Sequence, residues 1–290
     1  MELVMKKSEL ICNPDGSIYH LALKPGELAT TIITVGDQDR VGQVSKYFDS
    51  IELKRSNREF VTHTGTMGGK RLSVISTGIG TDNIDIVLNE IHCLFNKDLK
   101  SGDSLNHQSL NFIRLGTSGT VRSGIEIDTI LASQGALGYD GLLHFYQNDF
   151  PENEVNVLLE KNPTLKALPK PYFTQADPFL LGHFEKVYSK KGITITAPGF
   201  YAPQGRSVNA PTKIENFANT LGELDIDGIP ITNLEMETAG IYGLSALLGH
   251  KAISISAILA NRITGEFSAN PAKIVERMIE NALEKISELH

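Results

Sequence analysis

Short β-branched runs that close on a glycine alternate along this chain with segments whose apolar residues recur at helical spacing. Thr30–Val35 is the first such run and ends at Gly36; Val41–Phe48 follows with a helical period. Arg71–Thr77 is a second strand, ending in Gly78-Ile79-Gly80. Ile84, Val87, Leu88, Ile91 and Leu94 then mark one face of an amphipathic helix. Phe112–Leu115 ends at Gly116, and Thr129–Ser133 and Ile193–Ala197 read as a fourth and fifth strand. Thr238–Leu248 is helical and stops at Gly249, a residue suited to the turn past a helix C-terminus. Ile253–Ala260 is a last buried strand. Asn270-Pro271 supplies a cap and a first-turn proline for a final helix with Ile274, Met278, Ile279, Leu283 and Ile286 on its core face.

This alternation predicts an α/β fold, one domain over residues 1–290 with a central mixed β-sheet flanked by helices. Residues 1–18 read as an N-terminal extension. Asn96–Gln108, polar and rich in turn residues, reads as an inserted surface loop. Residues 203–213 and 263–270 are further candidate mobile loops. No internal repeat and no linker is visible.

Composition narrows the function classes. With 290 residues, 41% hydrophobic and 21% charged, the chain has the profile of an ordinary globular protein. A net charge of -7 argues against a nucleic-acid surface, which needs a basic excess, but leaves room for a local anion pocket. Two cysteines, Cys12 and Cys93, are too few for a disulfide framework, and a reducing cytoplasm fits. The first seven residues lack an apolar core of signal-peptide length. The longest apolar-leaning run, Ala252–Ala260, is far too short to span a bilayer, so no membrane partner is expected.

Several strands end in glycine followed by polar residues, and ligands of open α/β sheets bind beyond the carboxyl ends of strands. Gly36-Asp37-Gln38-Asp39-Arg40 offers backbone N–H groups and a counter-charge for an anion, or is a plain strand-to-helix turn. Arg114-Leu115-Gly116-Thr117-Ser118-Gly119 places an arginine inside a buried strand, costly unless it is paired. Its partner is a phosphate, which arginine binds through paired N–H bonds, or an internal acid such as Glu237. Glu235 and Glu237 stand in an apolar setting where a strand enters a helix. They suit the two hydroxyls of a ribose, or else the N-terminus of that helix. Phe200-Tyr201-Ala202-Pro203-Gln204-Gly205-Arg206 matches an imide base such as uracil: the amide faces N3–H and O2, and the donor-only guanidinium faces O4. The alternative is a polar surface loop. Gly78-Ile79-Gly80 lacks the third glycine of a dinucleotide fingerprint and reads as a tight turn.

Taken together with Asn57-Arg58-Glu59-Phe60 and Ala260-Asn261-Arg262, these segments resemble the nucleoside phosphorylase I family, and within it the uridine-cleaving branch. The resemblance runs from Tyr19-His20-Leu21 to the last helix. It implies a nucleoside phosphorylase/hydrolase-like fold and an enzyme of pyrimidine nucleoside salvage that converts uridine and phosphate to uracil and ribose 1-phosphate. Phosphate is then a co-substrate, no cofactor is required and no metal is assigned. The resemblance also implies a homo-oligomer built from dimers, commonly a hexamer. Gly36, Arg40, Arg114 and Thr117 would hold phosphate, with Arg58 supplied by a neighbouring subunit. Met236 and Glu237 would grip ribose, helped by the neighbour's His20. Gln204 and Arg206 would hold the base, with Phe200, Gly119 and Glu235 shaping the pocket and Arg262 ordering the loop around it. Arg114, Arg206, Gln204 and Glu237 would carry the chemistry.

The chain departs from the family pattern in places. Gln38 stands where proline is usual in the first phosphate loop, which implies a less rigid loop. Thr81-Asp82-Asn83 replaces a small Gly-Pro-Ser stretch, near which, with Glu59, relatives can hold a monovalent cation. Asp140-Gly141 and Leu143-His144-Phe145 match the family as structural or rim residues. Ala260-Asn261-Arg262 lacks the aspartate that purine-cleaving relatives use to protonate N7, which weighs against a purine nucleoside phosphorylase. The phosphate-binding arginines weigh against a hydrolase and against a catalytically inactive storage or binding relative.

Overall fold

A computed structural model describes residues 8–185, 187, 188 and 191–289. The first seven residues, on which the leader reading rests, lie outside this set. The described strands are β1 (Thr31–Val35), β2 (Ser50–Asn57), β3 (Phe60–Met67), β4 (Lys70–Ser76), β5 (Asn111–Thr120), β6 (Ile130–Gly138), β7 (Tyr172–Gln175), β8 (Lys191–Thr196), β9 (Asp225–Ile226), β10 (Ile229–Glu235) and β11 (Lys251–Asn261). The helices are α1 (Gln38–Ser45), α2 (Thr81–Asn96), α3 (Asn153–Lys161), α4 (Pro178–Phe184), α5 (Phe217–Gly222), α6 (Thr238–Leu247) and α7 (Pro271–Ser287).

The strands form one mixed sheet in the order β2-β3-β4-β1-β5-β11-β6-β8-β10-β9, with β7 beside β6. The sheet also closes on itself. β5 pairs in parallel with β11 along its length, and its last residues pair antiparallel with β10, Gly119 opposite Leu234 and Thr120 opposite Asn233. β5, β11, β6, β8 and β10 thus make a closed circuit. This closure carries the Arg114–Gly119 segment to the end of β10, where Glu235 and Glu237 lie.

β5 runs to Thr120 rather than stopping before Gly116, so the glycine-rich segment is strand and not the loop beyond it. Periodicity ended the strand early because glycines and hydroxyl residues carry no apolar signal. The β2–β3 hairpin was not legible either. β2 is an edge strand with its residues exposed or half-buried, and it shows no apolar alternation. α1 starts at Gln38, three residues before the apolar spacing begins, because the Asp37 side chain accepts from the Asp39 N–H and caps it. At α7 the Asn270 side chain accepts from the Lys273 N–H and Pro271 takes the first position, as the sequence predicts.

α6 is buried through its first eight residues, the signature of a helix enclosed by the fold. It packs on β6, β7, β8, β11 and α2. Asn96 is the buried last residue of α2, not the start of an exposed loop. Its side chain bonds both the N–H and the C=O of Gln108, so it clamps the ends of the segment between them. Cys12 and Cys93 are free thiols. Among the described residues no helix is long and apolar enough to cross a membrane.

Candidate active site

The ends of β1, β5, β10 and β11 and the loop after β8 line a cleft of about 850 Å³. Gly36 and Arg40 reach it from β1 and α1, and Arg114, Thr117 and Gly119 from β5. Glu235, Met236 and Glu237 come from the β10–α6 junction, and Phe200, Gln204 and Arg206 from the loop after β8. Eleven of the fourteen residues singled out in the sequence therefore meet in one place. His20, Arg58 and Arg262 are not among its lining residues.

At the centre is an ion cluster. Arg114, 5% exposed, bonds Glu237 Oε2 at 2.5 Å and Glu235 Oε2 at 3.0 Å through Nη2. Its Nη1 lies 3.5 Å from the Ser254 hydroxyl. The guanidinium folds back over Gly116, where a Cβ would stand 1.8 Å from Nη1; only glycine leaves that space. Of the two partners proposed from the sequence, Arg114 meets the internal acid, and it also lines the cleft.

The two glutamates divide their roles. Glu235 accepts from the Thr196 hydroxyl at 2.6 Å and from the N–H groups of Glu237 and Thr238 at 2.9 to 3.1 Å. It caps α6 and buttresses the site, with little capacity left for a base. Glu237 accepts from Gly80 N–H through Oε1 at 2.8 Å and from Arg114 through Oε2. Burial raises its pKa, and the Arg114 charge pulls it back. The Gly78–Gly80 turn is thus more than close packing: Gly80, at φ +94°, aims its amide at a site carboxylate. No sequence pattern announces that pairing across 157 positions.

Arg114 is compensated by two acids, whereas Arg40 brings positive charge to the cleft without one. It donates to the Leu115 carbonyl at 3.3 Å, and among the described residues it has no carboxylate ion-pair partner. Desolvation lowers its pKa, which makes an anion a favourable partner. Gln38 tightens this corner: its amide donates to the Arg58 carbonyl at 3.1 Å and ties the loop to the β2–β3 turn.

The Gln204–Arg206 part of the cleft is held in place by its own contacts. Gln204 is 4% exposed, and its Oε1 accepts from Arg206 Nη1 at 2.8 Å. Arg206 also donates to the Phe200 carbonyl at 2.6 Å and stacks 3.7 Å from the Phe200 ring centroid. Burial and the neighbouring Arg262 bring its pKa down to about 10, so it stays cationic at neutral pH. Arg262 donates to the Gln204 carbonyl at 3.0 Å. The side chain of Asn261 is spent on the turn, bonding the carbonyls of Arg122 and Ile125 and the N–H groups of Ile263 and Thr264.

His20 and Arg58 sit together at the surface. The Asn57 amide donates to the His20 carbonyl at 2.7 Å, and the Arg58 guanidinium lies 5.5 Å from the Tyr19 ring centroid. Sequence reasoning did not single out Ile79, Leu259 or Phe267, which add apolar surface to the cleft. Phe267 is held there by a bridge to Ala260.

Known proteins similar to this chain include several nucleoside phosphorylases. The chain is 29% identical over 277 residues to a uridine phosphorylase of Thermococcus kodakarensis, covering 94% of this chain and 88% of the relative. It is 26% identical to a purine nucleoside phosphorylase of Bacillus subtilis, covering 93% and 99%. A solved nucleoside phosphorylase of Trypanosoma brucei, described as showing uridine phosphorylase activity, superposes with a TM-score of 0.87 at 30% identity, covering 97% of this chain and all of that one. Residues 30–289, which hold every cleft-lining position, match the profile of the phosphorylase superfamily, and the chain belongs to that superfamily.

Proposed function

We propose that this enzyme cleaves uridine with phosphate, giving uracil and ribose 1-phosphate, as a step in pyrimidine nucleoside salvage. The observation that carries this reading is the Gln204–Arg206 pair, locked at one end of the cleft whose other end holds Arg40, Arg114 and Glu237. With Oε1 fixed by Arg206, the amide presents an acceptor to N3–H and a donor to O2 of uracil, while the guanidinium faces O4. Glu237 takes the ribose hydroxyls beside Met236. Phosphate lies by Gly36, Arg40, Thr117 and Arg114, and His20 and Arg58 of a neighbouring subunit complete the site.

In the reaction a phosphate oxygen bonds C1′ as the bond from C1′ to N1 breaks, and that electron pair leaves on the base. Positive charge on the sugar is stabilised by the phosphate dianion and Glu237. Negative charge on O2 and O4 is stabilised by Gln204 and Arg206, donors preorganised before the charge develops. The chemistry calls for no cofactor.

The Bacillus subtilis relative keeps a purine reading in view. Against it, the side chain after Ala260 is Asn261, whose amide donates to the carbonyls of Arg122 and Ile125, accepts from the N–H groups of Ile263 and Thr264, and offers no acid to N7. The test is kcat/KM for uridine, cytidine and inosine under saturating phosphate. Uridine should be cleaved well and the others hardly at all. Inosine turnover comparable to uridine would overturn the assignment.

A further inference from the structure

Away from the cleft, the Glu90 carboxylate on α2 is given over to one short stretch of chain seventy positions earlier. Its two oxygens accept from the His20 N–H at 3.0 and 3.1 Å, and Oε2 also accepts from the Leu21 N–H at 2.9 Å. Oε1 lies 2.5 Å from Nδ1 of the His20 ring. The Glu90 side chain is 13% exposed and the His20 side chain 27%. Backbone and ring of one histidine are thus held by a single acid.

This arrangement decides where the ring carries its hydrogen. An ionised carboxylate can only accept, so Nδ1 is the donor. The partner of one ring nitrogen sets the state of the other. Nε2 makes no hydrogen bond among the described residues and is left for a ligand. The same stretch is tied to the β2–β3 turn. The Asn57 amide donates to the His20 carbonyl, and the Tyr19 ring packs edge-on to the His20 ring with centroids 4.8 Å apart while the Arg58 guanidinium lies over its own centroid. These contacts join His20 and Arg58, neither of which lines this chain's own cleft, into one unit anchored on α2 through Glu90.

We propose that Glu90 is a positioning residue: it fixes the place of the His20 ring and keeps the hydrogen on Nδ1, so that Nε2 meets a ribose hydroxyl of the nucleoside in a neighbouring subunit's cleft. The inference rests on the reading of His20 as a ribose ligand supplied across an interface. Glu90 itself touches no substrate. One ring nitrogen reads one hydroxyl, so the effect of Glu90 falls on a single position of the sugar.

Three variants test it. Glu90→Gln keeps the size of the side chain but offers the ring an amide in place of a carboxylate. Glu90→Asp keeps the charge and draws the acceptor back by one methylene. His20→Ala removes the ring. Each is assayed for kcat/KM on uridine and on its 2′-, 3′- and 5′-deoxy analogues. The ratio between two nucleosides does not depend on how much of a preparation is folded. In His20→Ala the preference for uridine over one of the three analogues should shrink by about fivefold to tenfold, the worth of one hydrogen bond, and the other two ratios should hold. Glu90→Gln and Glu90→Asp should shrink that same ratio by about threefold or more, and Glu90→Gln in the His20→Ala background should shift no ratio further. Wild-type ratios in the Glu90 variants, or a shift spread evenly over all three analogues, would overturn the inference. Unchanged ratios in His20→Ala would instead overturn the reading of His20 as a ribose ligand.

Discussion

Arg206→Met removes the charge and the donors of Arg206 while leaving an unbranched stem over the Phe200 ring. The proposed reaction gives Arg206 two jobs. It faces the base oxygen that gains charge as the glycosidic bond breaks, and it holds Gln204 Oε1 at 2.8 Å, which sets the direction of the amide. A preorganised donor to developing negative charge in a water-poor site is worth about 3 kcal/mol. Releasing Gln204 adds about 1 kcal/mol for one lost hydrogen bond. The combined loss corresponds to roughly a hundredfold to a thousandfold in kcat/KM for uridine. Because the residues proposed for phosphate are carried on β1, α1 and β5 rather than on the loop after β8, KM for phosphate should hardly move. The assay is spectrophotometric base release from uridine and from 5-fluorouridine, whose more acidic base leaves with less help. The variant should lose about tenfold less on 5-fluorouridine than on uridine, one part of the same barrier difference. A variant within about threefold of wild type would refute the assignment, since even one ordinary hydrogen bond is worth that much. Equal losses on the two nucleosides would refute the role in charge stabilisation.

If Arg58 and His20 complete a neighbour's cleft, mixing Arg58→Ala with Arg114→Ala protein should restore part of the activity that each lacks alone; mixtures as inactive as their components would exclude a shared site. His250 is buried beside His92 and His107, its Nδ1 accepts the Leu110 N–H, and burial holds its pKa down at about 4 against an ordinary 6.5. Between those values only the unfolded chain takes up the proton, so stability should fall as pH drops from 6.5 towards 4, by at most roughly 3 kcal/mol from this residue. Urea unfolding at pH 7 and pH 4.5 should show a smaller acid loss in His250→Asn than in wild type, and equal losses would contradict this account.

Much of the site was legible because its chemistry is unusual for its setting. Two acids in an apolar stretch and an arginine inside a strand are costly unless they meet partners, and here they meet each other. The Gln204–Arg206 spacing was legible as hydrogen-bond chemistry, and its 3₁₀ turn supplied the geometry. What escaped is what depends on distant pairing. The closure of β5 onto β10 joins residues more than a hundred positions apart, and the Gly80 amide is an ordinary backbone group until Glu237 arrives. Gln38 was expected to loosen the phosphate loop, yet its amide ties that loop to Arg58, a contact that composition cannot show. Glu235 lines the cleft, and its oxygens also serve α6, Thr196 and Arg114, a set of partners spread along the chain that local spacing does not show.

The central claim is that phosphate, seated beside Arg40 and Arg114, is the nucleophile. The direct measurement is uracil release from uridine by the purified enzyme, with and without inorganic phosphate, together with identification of the sugar product. Release should require phosphate and yield one ribose 1-phosphate for each uracil. Equal uracil release in phosphate-free buffer, with free ribose as the product, would contradict it.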